Sequence, residues 1–227
     1  MIIIVSATSV MFAEITSQLL ASLLPIHTSL FDKLSLLTLS PRDIWLPITV
    51  GIIVGTAAVL FLKYYRVIRK LVLLIKKKAG KIGDVAVIFA AFLITVILGL
   101  VDGSFISTGH HLMLSLFEDN PAIWFLVIVL LVRATLTLFA NTSGVTGGLF
   151  VPILTLGALL SAIVSGFFID ICGMSEEYGT VILVLGITSC ISAMMKMPLT
   201  SIVFAIEALS SFENTLFIIV VAVVSYI

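Results

Sequence analysis

Two apolar runs, Pro121 to Ala140 and Ile153 to Ile169, are separated by Gly144-Val145-Thr146-Gly147-Gly148-Leu149-Phe150-Val151-Pro152. This break constrains the chain more than any other stretch. Glycine reaches backbone angles closed to other residues and lets another group approach the main chain. Proline fits the first turn of a helix, where its missing N–H is not needed. The spacing therefore predicts that a loop ends and a helix begins at Pro152, the helix running to about Asp170. A helix N-terminus presents unpaired N–H groups and about half a positive charge. Within a bilayer, irregular backbone is tolerated only where it is buried in protein or lines a wet cavity. Together these point to a binding place for an anion.

The bilayer setting follows from composition. The 227 residues are 61% hydrophobic and 11% charged, and the mean hydropathy is +1.32. That much apolar surface predicts an all-α, polytopic integral membrane protein, because only helices and closed barrels satisfy their backbone in lipid. Lysine plus arginine and aspartate plus glutamate number 12 each, so the chain has no net basic field to attract nucleic acid. Cys172 and Cys190 lack metal-like spacing. No nucleophile–base set or metal cluster stands out, so an enzyme is not expected, nor is a cofactor. The chain opens on Met1-Ile2-Ile3-Ile4 without a basic leader. It starts and stops inside apolar segments, which reads as part of a larger protein: a single membrane domain over 1–227.

In order, Met1 to Leu24 reads as a first membrane helix with Glu14 inside it. Pro25 to Pro41 connects it to a second, long helix from about Arg42 to Lys70 or beyond. Leu71 to Lys81 carries Lys76, Lys77, Lys78 and Lys81, and Lys63, Arg66, Arg69 and Lys70 precede them. This basic loop, 63–81, is expected on the cytoplasmic side by the positive-inside rule; an anionic-lipid patch is the alternative and has the same consequence. Val85 to Val101 is a third helix. Asp102 to Asn120 is an outer connection, with Ile106 to Phe117 as a candidate short helix. Its adjacent His110 and His111 lack a third ligand and read as ordinary loop residues rather than a metal pair.

In the helix from Pro121 to Ala140, Arg133 must face protein or water, since a cation at helix centre costs about 2.5–3.5 kcal/mol on insertion scales. After the helix from Pro152 come a short acidic loop with Glu176 and Glu177 and a helix from Thr180 to Met195. Gly186 and the small residues around it permit close helix packing there. Lys196-Met197-Pro198 interrupts that helix, and a further one runs to about Leu209 with Glu207 late in it. Ser210 to Asn214 turns into a last helix from Thr215. Short, Pro/Gly-broken apolar segments are the sign of discontinuous helices around a midplane binding site.

With these residues in view, Gly144-x-x-Gly147-Gly148-Leu149-Phe150-Val151-Pro152 followed by Leu156-Gly157 resembles the G-x-F-x-P selectivity-filter motif of the CLC chloride channel and transporter family. Ser192-Ala193-Met194-Met195-Lys196-Met197-Pro198-Leu199-Thr200-Ser201 through Glu207 is similar to that family's later helix pair ending in a glutamate. The preceding helix with Arg133 also fits. The likeness is densest from about Ile123 to Leu209.

The resemblance implies discontinuous, tilted helices forming the second of two inverted repeats, with the first half and the last helix missing. It implies that the anion, chloride or a similar small one, is held by the main-chain N–H groups of Leu149 and Phe150, within a filter motif that includes Gly147, Gly148, Val151 and Pro152. It also implies a homodimer whose interface uses Met1 to Leu24, Pro198 to Leu209 and the last segment, in the plasma membrane of a prokaryote, with lipid as the surrounding partner. The family's Gly-Ser-Gly-Ile-Pro and Gly-x-Glu-Gly-Pro loops do not occur in this sequence, so the gating glutamate is absent, and Tyr226 comes too early to be the pore tyrosine. Channel and proton-coupled antiporter stay open on this basis. So do a fragment without transport of its own, a carrier of another small anion such as fluoride, and a carboxylate transporter drawing on Thr142, Ser143 and Thr146. Arg133, Glu207 and Glu14 read as structural.

Overall fold

The computed structural model describes residues 37–101, 112, 116, 122–144, 148–207 and 213–227. Among them there are helices and no strands. A 3-10 turn, Pro41–Ile44, leads into helix α1, Trp45–Val101; then come α2, Ile123–Ser143; α3, Phe150–Asp170; α4, Glu177–Met195; α5, Pro198–Glu207; and α6, Thr215–Tyr226. The expected helix at 1–24, Glu14, and the connection bearing His110 and His111 lie outside the described residues.

The largest departure from expectation is α1. Helix 42–70, basic loop and helix 85–101 form one helical stretch of 57 residues, roughly 86 Å along its axis. The stretch 71–81 that reads as a loop by charge is helical. No proline falls between Pro47 and Pro121, and Lys, Arg, Leu, Ile and Val carry only small helix penalties. Charge density marks where a helix leaves the lipid; it does not unwind it. Pro47 sits in the first turn, where its missing N–H costs nothing.

Helix α4 is the centre of the molecule. In α4, 78% of the most apolar window is buried, against 28% in α2. Helices that are apolar all round belong in a core or in lipid; here packing decides, with α4 in the protein core and α2 facing outward. Among the described residues, four helices, counting 41–78 as the first, are long and apolar enough to cross a membrane. Helices α5 and α6, at 10 and 12 residues, are about 15 and 18 Å long, short of a full span. The expected short segments are therefore these two, whereas α2 and α3 at 21 residues each reach about 32 Å.

Small residues set the closest approaches. A Cβ built on Gly186 falls 1.8 Å from Ser161 Oγ and one on Gly157 falls 2.8 Å from Cys190 Cβ. The α3–α4 crossing therefore has no room for a methyl group on either side. On α1, Gly51 and Gly55 lie against Val224 and Ser225 of α6, with built Cβ atoms at 3.0 and 3.4 Å. Gly51-x-x-x-Gly55 is the small-x-x-x-small pattern that lets helix backbones approach in membranes. Hydrogen bonds supplement the packing: Ser192 Oγ donates to Ala222 O at 2.6 Å. Buried Asn214 accepts from Leu39 N–H at 2.9 Å and donates to Leu37 O at 3.0 Å, which pins the start of the described chain to the turn before α6.

Candidate anion site

Helix α2 ends at Ser143, and Gly144 closes it with φ 99°. That left-handed angle is why a glycine must stand there. Lys76 reaches across from α1 and donates from Nζ to Ser143 O at 2.7 Å. A cation at a helix C-terminus satisfies an orphan carbonyl and opposes the negative end of the dipole. Two turns of the chain converge here: Lys76 fixes the point where the glycine-rich segment begins.

The segment ends at Leu149, with φ −90° and ψ −11°. The first bond of α3 runs from Ile153 N–H to Leu149 O at 3.0 Å. Four N–H positions precede an α-helix's first internal donor; here Pro152 supplies no N–H, which leaves Leu149, Phe150 and Val151. The N-cap residue, Leu149, makes no side-chain cap bond, since its side chain has no acceptor. No carbonyl of a described residue accepts from these three amides. Pro152 is thus the third residue of the helix, within the first turn as expected, and the helix begins two residues earlier than Pro152.

The side chains at this end divide. Phe150 turns inward, its ring edge-on to Phe204 of α5 at 5.5 Å and 85°. Leu149 and Val151 are each 37% exposed. Gly148 is exposed, and a Cβ built on it meets nothing within 4 Å. Gly147 and Thr146 lie outside the described residues. Helix α4 braces the first turn of α3 from the other side, the Cys190 thiol donating to Ile153 O at 3.6 Å. The site is therefore a helix end packed against α4 and α5, with open space over Gly148.

The described hydroxyl groups beside the break, those of Thr142 and Ser143, are committed elsewhere. Thr142 Oγ1 donates to Leu138 O at 2.8 Å and Ser143 Oγ to Ala140 O at 2.6 Å. Two of the three groups that a carboxylate carrier would draw on are thus turned back onto their own helix. Arg133 is buried and has a partner, which fits a structural role. Glu207 is exposed at the end of α5. Tyr226 lies under Lys196, whose Nζ donates to Tyr226 O at 2.6 Å and sits 4.9 Å from the ring centroid. Cys172 is exposed, Cys190 buried, and both are free thiols. Among the described residues no group of three metal-ligating side chains forms.

Lys76 was not legible as part of this site, because 67 positions separate it from Ser143. Phe204 was missed for the same reason. The Gly51/Gly55 pair could have been found from its four-residue spacing alone.

A family model described as voltage gated chloride channel matches residues 2–227. The chain is 26% identical over 117 residues to the H(+)/Cl(-) exchange transporter ClcA of Klebsiella pneumoniae (strain 342), a match covering 52% of this chain and 25% of that protein. It is 28% identical over 121 residues to the protein of the same name from Salmonella typhi, again covering 52% and 25%. The aligned stretch thus spans about a quarter of these relatives. Among solved structures, a slow cyanobacterial Cl-/H+ antiporter superposes with a TM-score of 0.72 at 23% identity, covering 83% of this chain and 43% of that one. The fold is therefore that of the antiporter's matching part, and the inward-packed helices, the glycine break and the full-length family match together place this chain in the voltage gated chloride channel family.

Proposed function

We propose that this chain lines one side of an anion path and that the N–H groups of Leu149 and Phe150, at the start of α3, hold the ion. Val151 supplies a third amide in the same turn. The observation that carries the reading is the open space over Gly148 beside a helix N-terminus whose first amides meet no carbonyl of a described residue. Amides and a helix dipole attract an anion without a fixed full charge. Hydrogen bonds to a charged group contribute about 1.5–3 kcal/mol each. Two or three offset part of the ion's dehydration and leave it able to depart, as conduction requires. Chloride is the ion that the names of the matched relatives favour. The path is completed by the rest of the family fold, in a homodimer at the plasma membrane, with the basic stretch 63–81 on the cytoplasmic side.

The test uses the complete protein that carries this chain, reconstituted in liposomes loaded with potassium chloride. Chloride release on shunting the potential is expected, and Gly148→Phe is expected to abolish it. Unchanged release in that variant overturns the site. Repeating the release with fluoride separates the chloride reading from the fluoride one.

A further inference from the structure

The seven basic residues between Lys63 and Lys78, with no acidic residue among them, fall on a helix rather than in a loop, and a helix has faces. At about 100° per residue, Lys63, Arg66, Lys70 and Lys77 lie within about 60° of one another. All four are exposed. The opposite face is the packed one: buried Val72 lies there, Tyr64 shares a 2.9 Å hydrogen bond with Thr135 of α2, and Lys76 reaches Ser143. The basic stripe thus points away from the described helices. It is flanked by exposed Val67, Leu71, Leu73 and Leu74, so apolar and cationic groups alternate around the outward surface.

Its position along α1 supplies the second constraint. The 18 residues Trp45 to Leu62 contain no charge. They rise about 27 Å, close to the ~30 Å hydrocarbon core. Lys63 is the first charge after them. On a hydrocarbon core matched to that run the stripe starts at the edge, from where long Lys and Arg side chains reach headgroups while their stems stay in apolar surroundings.

We infer that the Lys63–Arg66–Lys70–Lys77 stripe is a docking surface for anionic phospholipid headgroups of the surrounding bilayer. Charge complementarity selects the occupant. The cations are unopposed by acidic residues on their own stretch, and the flanking leucines suit acyl chains and suit no soluble anion. This is independent of the anion path: the stripe faces outward, opposite the side that approaches the glycine break.

The experiment compares three forms of the intact chain in dodecyl maltoside: wild type, Lys63→Gln/Arg66→Gln/Lys70→Gln/Lys77→Gln, and the charge-retaining Lys63→Arg/Lys70→Arg/Lys77→Arg. Each is titrated with phosphatidylglycerol, phosphatidylcholine or inorganic phosphate, and bound lipid is counted by native mass spectrometry alongside the melting temperature. Wild type and the arginine form are expected to retain phosphatidylglycerol selectively, and the glutamine form to need at least about tenfold more of it for half-occupancy, from the contribution of each basic residue at an anionic surface. Equal retention in the glutamine form overturns the proposal. So does retention of phosphatidylcholine equal to that of phosphatidylglycerol, or an equal response to free phosphate, which is the mark of a soluble-anion site.

Discussion

Helix α3 carries glycine-dependent structure at two points, and they work in opposite ways. In its middle, Gly157 and Ser161 press against Cys190 and Gly186 of α4 so closely that a built Cβ falls inside other atoms. Just before its start, Gly148 has nothing within 4 Å of a built Cβ. The first pair is small so that two backbones can touch. The second is small beside empty space, where no protein atom of the described chain demands it. A glycine required by packing belongs to the fold, and a glycine facing a void belongs to whatever fills the void.

The packing half of that contrast breaks with the largest effect. Gly186→Leu forces a side chain into Ser161, where even the backbone Cα lies 3.3 Å from the added Cβ. Overpacking by a few methylenes costs about 1–3 kcal/mol and sometimes more; four added carbons at the most buried helix put this variant at the upper end. The monodisperse peak in size-exclusion chromatography is expected to be lost, and a wild-type profile contradicts the crossing.

A smaller change sharpens the same point. Gly157→Ala is expected to destabilise by about 1–3 kcal/mol, read as a lowered melting temperature in detergent. Its clash is with Cys190 Cβ at 2.8 Å, while Sγ is at 3.4 Å. Cys190→Ala therefore leaves the clash in place and Cys190→Gly removes it. In a double-mutant cycle the Gly157→Ala penalty shrinks only on the Cys190→Gly background, as contacting pairs couple and distant ones do not.

The start and the middle of α3 also differ in how far the sequence revealed them. The start of α3 was legible because glycine, glycine and proline in a fixed order have a mechanism, and Pro152 falls in the first turn as that mechanism requires. The α3–α4 crossing was legible from Gly186 and its small neighbours but not from Gly157, which looked like part of the motif rather than of a contact. The reading of 71–81 as a loop fails because charge is no sign of a loop: the helix propensity of lysine and the lack of proline decide the backbone. Lys76 at Ser143 and Phe204 at Phe150 are tertiary meetings. No local pattern encodes them, since each depends on how two distant helices cross.

Lys76 tests the entrance to the break at intermediate size. Lys76→Met removes a charged donor from Ser143 O, and hydrogen bonds to charged groups contribute about 1.5–3 kcal/mol. The site is only half-buried, so about 1 kcal/mol is the expected loss after screening, again read as melting temperature. Lys76→Arg keeps a donor and is expected to stay near wild type. An equal fall in both variants denies that the bond to Ser143 holds the end of α2.

Gly148→Ala is expected to change stability least, within about 0.5 kcal/mol, as for a substitution that touches nothing. Its φ lies outside the left-handed region, unlike that of Gly144 at +99°, so a methyl group brings no backbone strain. The same reasoning makes Gly148→Phe informative where Gly186→Leu is not. A ring added at Gly148 projects into space that no described protein atom occupies, so the protein is expected to melt within a few degrees of wild type. If the void over Leu149 and Phe150 is the anion's, the folded variant nevertheless stops passing chloride, because the ring takes the place the ion needs beside the amides. Loss of flux with an unchanged melting temperature separates the two kinds of glycine in one protein. Loss of both together means that Gly148 is a packing residue after all, filled by parts of the family fold that close over this end of the helix.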